Sequence, residues 1–265
     1  MTAAQTTPGA EKAYTMTPME FPLIMLVSSF VLLFLAAEVG NFLRTKTRPL
    51  SEDQRQDLGV VVGATLTLLG LLIGFSFSMA INRYDQRKLY EEAEANAIGT
   101  EYLRLGLLSG DTSKVRELLR TYLDQRILFY TTRHEGGLAK INTDTATLQN
   151  ELWSAVESHK AEPTAVTVLT VTGMNDVLNS QGYTQAAWWN RIPVAAWVLM
   201  FTIAICCNAL IGYSAHRTGW RLFMILPVAV AIAFFLIADL DSPRGGAIRV
   251  VPQNLLALSH SLRPS

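Results

Sequence analysis

The sequence predicts an all-α, polytopic membrane protein with four transmembrane helices and a helical extramembrane domain between the second and third. Three observations predict it. Half of the 265 residues are apolar and the mean hydropathy is positive, which points to a membrane class. Four apolar runs reach the roughly 20 residues a helix needs to cross a hydrocarbon core. The polar block between the second and third runs spaces its apolar residues with a helical period, not an alternating one.

Residues 1–20, rich in Thr and Ala and without a period, read as a disordered tail. The first span is Pro22 to Leu43, closed by Arg44, Lys46 and Arg48 at the interface. A cleaved signal sequence is the competing reading, because Leu35, Ala36 and Ala37 follow its core, but the polar tail before it and its length favour a span. The second span, Leu58 to Ile81, ends on Asn82 and Arg83, and completes a hairpin over residues 21–82. The third, Pro193 to Tyr213, is announced by Trp188, Trp189 and Arg191, and the fourth runs from Trp220 to Ala238, giving a second hairpin over 193–239. Residues 240–265 form the tail.

Between the hairpins, residues 83–192 make the domain. No breaker separates the second span from Tyr84 to Leu108, whose Leu89, Ala93, Ala97, Ile98, Tyr102 and Leu105 keep a helical period, so one long helix is expected to leave the membrane and enter the domain. Val115, Leu118, Leu119, Tyr122, Leu123, Ile127 and Tyr130 form the next stripe, with Asp111 and Thr112 as caps. A further helix is expected from near Thr145 through Leu148, Leu152, Trp153 and Val156, and another from Thr164 to Trp189. After the fourth span, Pro243, Gly245 and Gly246 enforce a turn, and Leu255, Leu256 and Leu258 then lie on the domain or on the membrane surface.

An even number of spans puts both termini and the domain on one side. Basic residues do not settle which side: Arg44, Lys46, Arg48, Arg55, Arg217 and Arg221 flank the short loops, while Lys12, Arg83, Arg87, Lys88, Arg191, Arg244 and Arg249 lie on the domain side.

Equal numbers of basic and acidic residues leave no footprint for nucleic acid. His134, His159, His216 and His260 are scattered, the adjacent Cys206 and Cys207 lack ligand spacing, and there is neither a phosphate-binding glycine loop nor a nucleophile elbow. The sequence therefore predicts no enzyme, no cofactor and no metal. Its informative features are polar groups in or near the spans. Gly59, Gly63, Thr67, Gly70, Gly74 and Ser78, accompanied by Phe77, mark a small-residue face of the second span, which serves either helix packing inside the bundle or a pore or subunit contact. Glu38, Asn208 and Arg221 are expected at similar depth near the loop side, where the acid is either paired or snorkelling. Asn82, Arg83, Asp85, Arg191, Asp239, Asp241 and Arg244 converge on the other membrane face, where balanced charge favours mutual pairing over a charged pore mouth.

Leu68 to Ala80, running on through Arg83-Tyr84-Asp85 to Glu94-Ala95-Asn96-Ala97-Ile98-Gly99-Thr100, resembles the signature of the bacterial bestrophin-like domain proteins, and Asp239-Leu240-Asp241-Ser242-Pro243 to Gly246-Ala247-Ile248-Arg249-Val250 resembles their closing motif. The resemblance covers most of the chain from Phe21 onward. More distantly, Gly74-Phe75 and Arg83-Tyr84-Asp85-Gln86-Arg87-Lys88-Leu89-Tyr90 resemble bestrophins, pentameric ion channels whose second span lines the pore. Ser76, Phe77 and Ser78 depart from the more uniformly apolar bestrophin pore, and no acidic calcium clasp is evident. The resemblance implies a homo-oligomer in the bacterial inner membrane that passes ions, with the domain cytoplasmic. The alternative is a membrane-anchored sensor or scaffold whose domain binds a partner.

Overall fold

The computed structural model describes residues 22–47, 50–133, 135–157, 164–214 and 224–263. Among them there is no strand. The described residues form eight α-helices: α1 (Pro22–Lys46), α2 (Glu52–Arg104), α3 (Ser113–Thr131), α4 (Glu135–Glu157), α5 (Ala165–Trp189), α6 (Val194–Ser214), α7 (Ile225–Asp241) and α8 (Gln253–Leu262). The expected tail over residues 1–20, together with Arg48, Trp220 and Arg221, lies outside the described residues.

Helix α2 decides the architecture. It starts on a capping box, in which Ser51 Oγ accepts the Gln54 amide at 3.3 Å while the Ser51 amide donates to Gln54 Oε1 at 3.0 Å. Glu52 and Asp53 then complement the positive end of the helix dipole. No proline interrupts the next 53 residues, so the helix extends about 80 Å, more than twice the hydrocarbon thickness of a bilayer. It stops where a 3-10 turn at Leu105–Leu107 leads to Gly110, whose φ of +102° suits a residue without a Cβ.

Two cores share this helix. One contains Met25, Leu33, Leu69, Ala80, Trp197, Met200, Phe234 and Ile237 and joins α1, α2, α6 and α7. The other contains Ile98, Leu105, Leu119, Tyr122, Phe129, Leu152, Met174 and Leu255 and joins the far half of α2 to α3, α4, α5 and α8. Tyr84 packs partly against both, marking the junction.

Within the first core, α1 and α6 make the closest crossing. A Cβ on Gly40 would run into the backbone carbonyl of Ala209, and a Cβ on Gly212 into that of Ala37. Small residues at such a crossing let two backbones touch, which is how helices associate where the solvent is as apolar as their side chains. At the end of this crossing, Thr47 Oγ1 lies 3.1 Å from the Tyr213 hydroxyl.

Most expected elements are present, with three differences. Helix α4 begins at Glu135, ten residues before the expected start near Thr145, and so runs through Gly136 and Gly137. The tail forms α8, whose Leu255 is fully buried in the domain core, so it lies on the domain. Three described helical stretches are long and apolar enough to cross a membrane: Pro22–Lys46, Glu52–Leu107 and Ala165–Ser214, the last joining α5 to α6. Helix α7, in the place of the expected fourth span, has 17 described residues.

Candidate functional site

At 100° per residue, Gly59, Gly63, Thr67, Gly70, Gly74 and Ser78 fall within about 100° of arc on α2. All six are exposed, and a Cβ placed on any of the four glycines would meet nothing within 4 Å. The packed side of α2 is a different one, carrying Leu69, Ser76 and Ala80, and Phe77 belongs partly to it. Beside the small-residue stripe runs a second uncovered strip of large apolar side chains, Val60, Val61, Leu68, Leu71, Phe75 and Met79. Among the described residues the stripe packs on no other helix, and the close glycine packing is at Gly40 and Gly212.

In the loop-side group, Glu38 and Asn208 form no hydrogen bond with one another. Asn208 is buried, and its Nδ2 donates to Ala204 O of its own helix at 2.8 Å. Glu38 is exposed and enters no ion pair among the described residues, one position from the Ala37 that faces α6. Arg221 lies outside the described residues.

Where α2 passes from the first core to the domain a collar does form, around Arg87, which the sequence reading counted among the basic residues of the domain side and placed in a motif but not in this cluster. Arg87 is 1% exposed and donates to four carbonyls: Ala187 O at 3.3 Å, Asn190 O at 3.3 Å, Leu240 O at 3.1 Å and Asp241 O at 3.1 Å. Those carbonyls end α5 and α7, where the last turns have no intrahelical donors and carry the negative end of the dipole. One guanidinium therefore ties two helix ends to α2. One turn earlier, Arg83 pairs with Asp241 at 3.7 Å and reaches Asn190 Oδ1 at 3.4 Å. Both Asp241 oxygens accept the Ile192 amide at 3.1 Å, fixing the turn between α5 and α6.

The remaining predicted members act on backbone. Asp239 accepts the Ala247 and Ile248 amides at 2.7 and 2.8 Å and so folds the closing turn. Arg244 donates to Phe129 O at 2.7 Å and Thr132 O at 2.8 Å, with its guanidinium over the Phe129 and Trp188 rings. Asn82 and Asp85 are exposed, and Arg191 is half-buried. Mutual pairing thus holds for Arg83 and Asp241, whereas Asp239 and Arg244 hold backbone. The signal for Arg87 was available: Arg83, Arg87 and Glu91 recur every fourth residue on one face of a helix. Glu91 completes the row by accepting the Leu255 amide at 2.9 Å and Asn254 Nδ2 at 2.6 Å, capping α8.

Deeper in the domain, Glu94 accepts hydrogen bonds from Arg126, from the Tyr130 hydroxyl at 3.2 Å and from Thr184 Oγ1 at 3.1 Å, all buried. Burial, and next the Glu94 charge, push the Tyr130 hydroxyl up, which keeps it a donor. Among the described residues no group of His, Cys, Asp and Glu could hold a metal.

These features define an all-helical protein with membrane-length apolar helices, one of which runs unbroken into a packed domain closed by the chain's own tail. The chain belongs to the bestrophin-like family, whose model matches residues 29–255. Solved structures with the same fold include a bacterial bestrophin homolog from Klebsiella pneumoniae, with a TM-score of 0.59 at 13% identity over 90% of this chain and 98% of that one. A single-substitution variant of that homolog gives 0.61 at 12% identity over the same shares, and a crystal structure described as a membrane protein gives 0.60 at 11% identity, again over 90% and 98%. No curated protein matches the sequence.

Proposed function

We propose that this chain is a subunit of a homo-oligomeric ion channel in the bacterial inner membrane, with α2 of each copy nearest the axis. The observation that carries the reading is the uncovered stripe of Gly59, Gly63, Thr67, Gly70, Gly74 and Ser78 on a span that α6 and α7 pack from another side. A glycine, threonine and serine face gives a wide path lined by backbone and hydroxyl oxygens, and the adjacent apolar strip gives neighbouring copies a surface to meet. The family and the shared fold support the same assignment.

Helix α7 serves as the fourth span. Its 17 residues cover about 25 Å, and its Val230, Phe234 and Ile237 are buried in the core shared with α1, α2 and α6, so it runs beside them. The domain and both termini then share one side, taken as cytoplasmic.

Two measurements on purified protein test the reading. Native mass in detergent should correspond to several copies, and liposomes containing the protein should pass ions. A monomer with no flux would overturn it in favour of a membrane-anchored scaffold.

A further inference from the structure

Glu94 and Glu101 lie two turns apart on α2, and both are fully buried. Glu94 is surrounded by donors, whereas among the described residues neither Oε1 nor Oε2 of Glu101 has a hydrogen-bond partner. The nearest cation is Arg104 on the same helix, with Nη1 4.0 Å from Oε2. From the other side α5 closes directly on the carboxyl: a Cβ at Gly173 would collide with Glu101 Oε2 and with Arg104 Nη1. The charged groups acting on Glu101 are Arg104 of α2 and Asp176 of α5. On α3, Arg116 and Arg120 are laid over the neighbouring Tyr102 ring, and Arg120 also donates to its hydroxyl.

A carboxylate sealed between two helices without donors is costly, and the neutral acid is the form such a place accepts. Burial is the main cause that pushes Glu101 up from the usual 4.5 to about 8, with Arg104 opposing and Asp176 adding to the rise. We propose that Glu101 is a proton-operated latch between α2 and α5: the contact at Gly173 stays closed over the neutral carboxylic acid, and loss of that proton to solvent opens it to hydrate the carboxylate. Because α2 is one helix from Glu52 to Arg104, opening the latch frees the domain end of the same rod that crosses the membrane. The inference does not depend on conduction.

The sign follows from the two proton affinities. The closed domain keeps a proton that an exposed glutamate gives up near 4.5, so the closed state is fully favoured below that pH. It loses that advantage as pH rises to about 8 and then levels off. Hydrogen exchange on the full-length protein in detergent, corrected for intrinsic rates, reads this directly. Between about pH 5 and about pH 8 the opening constant of residues 97–104 and 168–177 should rise by up to roughly tenfold per pH unit. Glu101→Gln should flatten the profile, and Glu92→Gln, at an exposed acid of the same helix, should keep it. An opening constant independent of pH in the parent, or an unchanged slope in Glu101→Gln, overturns the proposal. If Glu101→Gln does not fold, infrared titration of the glutamate-labelled parent decides: a protonated carboxyl band that disappears near pH 8 supports the latch, and complete ionisation by about pH 6 refutes it.

Discussion

Two sets of glycines in the membrane half of the molecule look alike in sequence and differ in what surrounds them. Gly40 and Gly212 sit where α1 and α6 touch, each facing the other helix's backbone carbonyl. Gly59, Gly63, Gly70 and Gly74 of α2 face open space. The first set is needed to fold one chain. The second meets no other described residue of the chain. A span whose small-residue face is empty in the single chain, while its other face is packed, fits a place between copies or beside a water-filled path.

The contrast can be broken at the crossing. Leu at Gly40 or Gly212 must displace backbone and not a flexible side chain, so either variant is expected to lose about 3 kcal/mol or more and to yield little folded protein. Chemical unfolding and expression level check this, and a normal yield of Gly40→Leu would place the α1–α6 crossing further apart than described. Even Gly212→Ala should cost about 1–3 kcal/mol, because one methyl group already overlaps the Ala37 carbonyl.

The collar sharpens the contrast, since it holds the packed side of α2. Arg87→Ala removes four charge-assisted hydrogen bonds and leaves the ends of α5 and α7 without donors. A loss of about 3 kcal/mol is expected, measured as the unfolding midpoint, with the oligomer surviving in whatever protein remains folded.

On the open stripe the expected effects are smaller and of another kind. Gly70→Leu and Gly74→Leu should leave the stability of the isolated chain within about 1 kcal/mol, because nothing is displaced. They should instead loosen the oligomer or reduce flux. Ala at the same positions should leave stability unchanged or raise it by about 0.5–1 kcal/mol and should leave native mass unaltered. If Gly74→Ala destabilised the single chain as Gly212→Ala does, the distinction between the two sets would vanish.

Much of this fold was legible in the sequence because its elements carry strong local signals. The run of α2 without proline from its capping box to Gly110, the Thr164 start of α5 and the apolar stripe of α3 each follow from residues a few positions apart. The start of α4 was missed because its apolar stripe was read only from Thr145 onward, whereas Leu138 and Ile141 before it are held in the domain core and carry the helix back across Gly136 and Gly137. Partners in space were harder to read. Equal depth suggested that Glu38 and Asn208 meet, but depth says nothing of azimuth: Ala37 and Gly40 take the α6-facing side of α1, and Glu38 points elsewhere. Likewise the glycine stripe was visible, while the need for Gly40 and Gly212 depends on two helices far apart in sequence. Arg87 escaped because its side-chain hydrogen bonds all go to backbone carbonyls, which a sequence does not display, and only its four-residue spacing from Arg83 and Glu91 marks it.

The central claim is that the open stripe of α2 borders the ion path, and a thiol-block experiment tests it most directly. With Cys206 and Cys207 replaced by Ala, single cysteines at Thr67 or Ser78 would be placed in liposome-reconstituted protein and treated with a small, charged thiol reagent. The account predicts that modification cuts ion flux, with the same reagent at Leu23, an exposed position on α1, having no effect. Complete modification at Thr67 and Ser78 with flux unchanged would contradict it.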